Sequence, residues 1–225
     1  MRIRHYVLIA LLCVSATHIN AAQINTTTEF TPLAAHYIET LKSRGSAAVS
    51  NDWYLVRRAN QVETSRNQYS EVWQRDARGE LTLTRVFHQD HKLIQYTPGE
   101  LRTQRREKDW ETLNRVVPEQ QLTTLKHIAD LTYLGRPASR YTGQHGAEKL
   151  DVIWLTHEAL AAKIVHTNRD QRTTLALKEL RPQPATHWPQ ANPGVIEPYD
   201  FIDGADLGDM EYDPFVRRVL DSDGH

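Results

Sequence analysis

A strongly curved antiparallel sheet, left unclosed as a half-barrel with a few helices over its concave face, is the α+β fold that this sequence predicts. Two series of Tyr-, Val-, Trp-, Thr- and Ile-rich runs with polar breaks, Asp52 to Tyr96 and Asp130 to Pro182, flank one stretch of helical composition. Together they supply about eight to ten strands, whose apolar side needs something packed on it. The helices are too few to form a full second layer, so the sheet has to curl over them.

The chain opens MRIRHYVLIALLCVSATHINAA, with two arginines, an apolar run from Tyr6 to about Ala16, and small residues ending in Ala21-Ala22. This is the plan of a secretory signal, and its apolar run is too short to span a bilayer. Residues 1–22 are therefore expected to be a signal peptide, 23–196 a single curved-sheet domain, and 197–225 an acidic segment docking on it, in a periplasmic protein. Cys13, the one cysteine, lies inside the apolar run, so the mature chain would hold neither a disulfide nor a thiolate metal site. No later stretch has the roughly 18 continuous apolar residues of a membrane helix.

Thr31 as an N-cap, Pro32 at the first helical position, Leu33, Tyr37, Ile38 and Leu41 at helical spacing and Gly45 as a stop predict an amphipathic helix over 32–44. Three or four strands follow: WYLVRRANQVETSR, QYSEVWQRD, ELTLTRVFHQD and KLIQY, with DARGE of hairpin length between two of them. GELRTQ is expected to add another strand after the Pro98-Gly99 turn. WETLNRVVPEQQLTTLKHI has helical composition, and Pro118 divides it into two short helices. DLTYLG, ASRYTGQ, EKLDVIWLT, AKIVHTN and QRTTLALKELRP then form a second meander, with hairpin breaks at 143–147 and 168–170.

This order of elements resembles the LolA, LolB and RseB group of periplasmic proteins. The likeness is carried by AAHYIETLKSR, QYSEVWQRDARGELTLTRVF, KLIQYTPGEL and RYTGQHGAEKLDVIWLTHEALAAKIVHTNRDQRTTLALKEL, over roughly Pro32 to Leu180. Trp154-Leu155, the loop THEAL and the returning strand AKIVHT look similar to a comparable stretch in RseB-like sequences. The resemblance implies a protein that is not an enzyme and that either holds acyl chains in the concave face or senses lipoproteins and partner proteins. The tail from Glu197 has no counterpart in that group.

Trp53, Trp73, Tyr96 and Trp154, with Tyr54 and Tyr199, are the aromatics expected either to fill the concave face or to line an open cleft in it; the first four are the candidate ligand-binding residues. The stretch YDFIDGADLGDMEYDPF supplies a second candidate, with Asp203, Asp206, Asp209, Glu211 and Asp213 as partner-binding carboxylates. Two Lys and Arg face nine Asp and Glu from Glu197 onward, against 23 and 19 from Gln23 to Ile196. That asymmetry suits docking on the chain's own domain, with Arg102, Arg105, Arg106 and Lys108 as a receiving cluster, or on a basic partner. Asp213-Pro214 reads as an N-cap and first-turn proline, with Phe215, Val216, Val219 and Leu220 on one side of a short helix. Asp209, Glu211 and Asp213 alternate as calcium ligands do, without the length and order of an EF-hand loop.

His88-Gln-Asp-His91 would need a turn to bring both imidazoles to one metal, with His127, His145, His157 or His166 as a third ligand. No G-x-S-x-G, H-E-x-x-H or phosphate-binding glycine loop occurs, so no reaction class and no cofactor is expected. A near-neutral overall charge gives no reason to expect nucleic acid. The expected partner is an apolar small molecule or lipid, or else a periplasmic or membrane protein.

Overall fold

The computed structural model describes residues 30–145 and 147–223, so the expected signal peptide and residues 23–29 of the polar lead-in expected over 23–31 lie outside it. Twelve strands form one sheet in the order β12-β6-β5-β4-β3-β2-β1-β11-β10-β9-β8-β7. They are β1 Leu33–Ser43, β2 Val49–Arg57, β3 Gln61–Arg66, β4 Tyr69–Arg75, β5 Leu81–Phe87, β6 Lys92–Tyr96, β7 Lys126–Tyr133, β8 Arg136–His145, β9 Glu148–Leu155, β10 Leu160–Thr167, β11 Gln171–Arg181 and β12 Asp200–Asp203. All neighbours are antiparallel except β12, which runs parallel to β6. The short helices are α1 Pro98–Thr103, α2 Trp110–Arg115, α3 Glu119–Thr123, α4 Pro193–Ile196 and α5 Pro214–Asp223.

Curvature follows from the core. Ile202 on β12 and Ala138 on β8 belong to one cluster of buried side chains, although nine strands lie between them in the sheet order. Strands spaced roughly 4.8 Å apart would separate those two by nearly 50 Å in a flat sheet. The sheet therefore wraps around Tyr37, Leu55, Trp73, Tyr96, Leu155 and Leu177, and α1, α2 and α5 fill the hollow with Leu101, Trp110, Leu113, Phe215, Val216 and Val219. A second cluster lies where Val117, Leu122 and Leu125, from α3 and its flanks, cover Leu150, Val152, Trp154 and Ile164. The sheet stays unclosed, with β7 at one edge and the four-residue β12 at the other.

Three sequence expectations are corrected. The segment expected as a helix over 32–44 is β1, the centre of the sheet, paired along its length with both β2 and β11. Its apolar residues alternate: Leu33, Ala35 and Tyr37 enter the inner core, while Ala34 lies on the outer face under Trp188. Pairing on two sides outweighs the helical capping signals, which are worth about 1 kcal/mol each. GELRTQ is not a strand but α1, closed by a capping box in which Glu100 Oε2 accepts from the Thr97 N–H at 2.7 Å and Thr97 Oγ1 accepts from the Glu100 N–H at 3.4 Å. The strand count, expected at eight to ten, is twelve, partly because β12 arises within the acidic tail. Pro118 does divide α2 from α3, and the 76–80 and 168–170 breaks are hairpin turns.

After β11 the chain crosses the outer face. Trp188 packs on Ala34 and Val56, and Ala191, Ile196 and Tyr199 pack on Val72, Val86 and Leu93. Buried Glu63 accepts the Ala191 N–H at 2.6 Å. The chain then pairs as β12 along the β6 edge and turns inward, so that α5 lies in the hollow. Gly204 marks the tightness of that turn, since a Cβ there would stand 2.6 Å from the Tyr96 ring and 2.9 Å from the Gln95 carbonyl oxygen.

Arg57, 1 % exposed, ties the inner face together. Its guanidinium donates to the carbonyls of Thr31 (3.0 Å), Asn114 (2.9 Å) and Glu158 (2.7 Å), which belong to the lead-in, α2 and the β9–β10 turn. Replacing Arg57 by Met would keep the volume of the stem and leave those carbonyls without their donor. The expected result is a loss of about 3 kcal/mol in unfolding free energy, measured by urea titration, with Arg57→Lys recovering only part of it.

Candidate functional site

A cleft of about 400 Å³ opens on the inner side between β2–β4 and α2. Inward-facing positions of successive strands build one wall. Trp53, Thr64 and Glu71 come from β2, β3 and β4, with Arg66 and Tyr69 paired near the rim. Leu113 and Val116, from α2 and its end, form the opposite wall. Val116 holds a left-handed backbone (φ 69°, ψ −28°), a costly conformation for a β-branched residue, stored here at the cleft lip. Its side chain packs on both inner clusters, so it sits where the two halves of the core meet.

A polar network runs under this cleft. Glu71 accepts from the Tyr69 hydroxyl (2.8 Å), the Trp73 indole N–H (3.2 Å) and Lys108 (3.3 Å). Arg85 donates to the Tyr69 oxygen at 2.8 Å and to Asp223 on α5 at 2.6 Å, and Arg106 reaches the same Asp223 oxygen at 2.7 Å. Burial pushes the Glu71 carboxyl upward, yet the Lys108 charge and the three donors outweigh it and hold the group below its ordinary range. Burial and the neighbouring Glu71 charge keep Tyr69 a phenol. Burial alone would lower Arg85, but its Tyr69, Asp223 and Tyr96 partners raise it, so it stays charged. A carboxylate held ionised and already accepting three donors is poorly suited to proton transfer at neutral pH and well suited to fixing a wall.

The aromatics expected at this face divide. Trp53 lines the cleft and packs edge-on against Tyr37 at 5.1 Å. Trp73 is 1 % exposed and Tyr96 fully buried, both in the inner core, and Trp154 is buried under α3. Among the four candidates, only Trp53 meets open space in this cleft, because helices cover the others. Tyr69, Leu113 and Val116 escaped the sequence reading, and Lys108 entered it only as one of a basic cluster expected to receive the acidic tail. The alternation of YSEVWQR placed Tyr69, Glu71 and Trp73 on one face, a signal that was there to use.

The acidic residues of the tail are not gathered at one point. Asp203 caps the 3₁₀ turn Gly204–Gly208, accepting the Ala205 N–H at 3.0 Å. Asp213 caps α5 through the Phe215 N–H at 2.7 Å and lies 3.4 Å from Lys92. Asp206 and Asp209 belong to the 3₁₀ turn and its end, and Glu211 is exposed beside Tyr212, which is 97 % exposed. Of the basic cluster, Arg106 meets Asp223, whereas Arg102 pairs with Glu80 and Lys108 with Glu71. His88 and His91 do lie in a turn, and both rings stand against Tyr199. Among the described residues, no group of three or more His, Cys, Asp and Glu could hold a metal ion.

No family model matches this chain, and no curated protein matches it. Among solved structures it is similar to PNGF-II, with a TM-score of 0.45 and 8 % identity over 81 % of this chain and 34 % of that one. It is also similar to the MucA/MucB complex of Pseudomonas aeruginosa (TM-score 0.36, 15 % identity, 72 % of this chain and 56 % of that one). A LolA superfamily protein from Nitrosomonas europaea matches at a TM-score of 0.33 and 7 % identity, over 68 % of this chain and 87 % of that one. The chain spans about a third of the length of PNGF-II.

Glu71 gives this site a pH signature. Its carboxyl binds a proton less readily in the folded state than in the unfolded one, so its contribution to stability is complete above the ordinary glutamate value and fades as pH falls through the lowered folded value. Between about pH 6 and pH 3, the wild type is expected to lose more stability than Glu71→Gln. The gap between the two denaturation midpoints, followed against pH, measures it.

Proposed function

We propose that this protein is a non-catalytic periplasmic binding protein that holds an amphipathic ligand, an acyl chain with a polar end, in the cleft beside α2. The observation that carries the reading is the cleft's two-sided chemistry. Trp53, Leu113 and Val116 offer apolar surface, while Arg66, Tyr69, Glu71 and Lys108 give polar anchoring beside it. Pockets of this size, largely apolar with a few fixed polar groups, are the usual form of small-ligand sites. The periplasmic location is supported by the basic, apolar and small-residue plan of residues 1–22. Trp73 and Trp154 belong to this reading as the core against which the cleft is built.

Native mass spectrometry of the protein purified from periplasm without detergent tests it, with extra mass matching a fatty acid or phospholipid expected. Leu113→Trp, which fills the cleft, is expected to remove the extra mass while the fold survives. A bare polypeptide mass that stays bare after incubation with fatty acid would overturn the reading.

A second reading rests on one observation in the tail. Asp206, Asp209 and Glu211 are exposed acidic residues in a stretch whose Tyr212 is 97 % exposed, with Phe201 on β12 59 % exposed, a composition suited to a basic protein partner. The triple variant Asp209→Lys, Glu211→Lys, Tyr212→Ala is expected to keep its melting temperature and lose cross-linking to such a partner in the periplasm. Unchanged cross-linking would remove this reading.

A further inference from the structure

A second pocket, on the outer face, has a different chemistry from the cleft. It measures about 440 Å³ and lies between the β3–β4 turn and the strap of residues 182–199. None of its described lining residues is Asp, Glu, Lys or Arg, although these make up 24 % of the chain. In their place stand amide side chains, Asn67, Gln68 and Gln190, the imidazole of His187 and the half-buried ring of Tyr199, supported by buried Trp188 and by His88, whose two ring nitrogens are already bonded within the protein. We propose that this pocket binds an uncharged saccharide of about disaccharide size.

Three features support the assignment. Neutral hydrogen-bonding groups that both donate and accept match hydroxyl groups, which also do both, whereas an ionic ligand would call for a charged partner. The half-buried Tyr199 ring offers an apolar surface to the C–H face of a sugar ring, while Trp188, 4 % exposed, is a buried support, packed 5.2 Å from Tyr54 and 5.9 Å from His36 between ring centres. The site is also built in advance. His88 is fixed between Ser70 (2.9 Å) and the Tyr199 hydroxyl (3.2 Å), and Ser70 is in turn bonded to Ser65 (2.8 Å). Burial, with a smaller push from the His91 charge, lowers the His88 pKa and favours its neutral form. Asn67 and Gln68, by contrast, are exposed at the turn tip and line the pocket from that side.

The test is a titration of the isotope-labelled full domain, followed by NMR, with maltose, cellobiose and N,N′-diacetylchitobiose up to about 20 mM, the range in which weak neutral-sugar sites saturate. At least one disaccharide is expected to shift the amides of residues 67–68 and 186–192, and to do so equally in about 0.5 M NaCl, because no charge is involved. The double variant Asn67→Ala, Gln68→Ala is expected to bind about tenfold more weakly with an unchanged melting temperature, as the loss of roughly one or two hydrogen bonds requires. The proposal fails if none of the three sugars shifts these amides, if salt abolishes the shifts, or if the double variant binds as well as the wild type. It also fails if N-acetyl-glycyl-glycinamide, an uncharged peptide probe, occupies the pocket where the sugars do not.

Discussion

The inner face depends on one buried cation whose hydrogen bonds go to main-chain carbonyls in place of a carboxylate. Arg57 spends its donors on three main-chain carbonyls, from the lead-in, from α2 and from the β9–β10 turn. Burial pushes its pKa down to about 10, still far enough above neutrality to keep it charged. Carbonyls carry no net charge, so the desolvation penalty is offset by hydrogen bonds that only a planar, multi-pronged donor can make at once. This clamp fixes where α2 lies over the sheet. The position of α2 sets the width of the cleft beside Leu113 and Val116, and the strained Val116 backbone is tolerated because the surroundings leave it no alternative.

Much of the sheet could be read in the sequence because half-buried antiparallel strands leave a period-two trace. The β4–β5 hairpin and the β7 to β11 meander left that trace, as did the break at Pro118. The central strand did not. LAAHYI is covered on both faces, so its apolar residues run almost continuously, and the same letters satisfy a helical spacing. Thr97-Pro98-Gly99-Glu100 shows the opposite failure: a capping box was present in the letters and the proline-glycine turn was given more weight.

The site was less legible than the fold for a physical reason. A cleft is defined by what is left unfilled, and that depends on where α2 and α5 settle rather than on any single strand. Trp73, Tyr96 and Trp154 carry the composition of cleft residues and are covered by helices, whereas Trp53, at the margin of the same face, meets open space. The acidic stretch gave a comparable ambiguity. Asp203 and Asp213 act locally, as caps that start the 3₁₀ turn and α5, and Asp223 answers two arginines of the inner face. Charge counting alone had no means of separating those acids from the exposed Glu211.

The two edges of the sheet are unequal. One is hemmed by the chain itself, where β12 covers β6 and leaves only four residues facing outward. The other, β7, presents eight residues, most of them exposed. Strand addition is directional under such an arrangement. Two copies joining through β7 would each use up the one long edge they have, so growth would stop at a pair instead of running on into a filament. The wrapped C-terminal segment thus leaves the opposite edge of the twelve-stranded sheet only a four-residue strand to offer a neighbour.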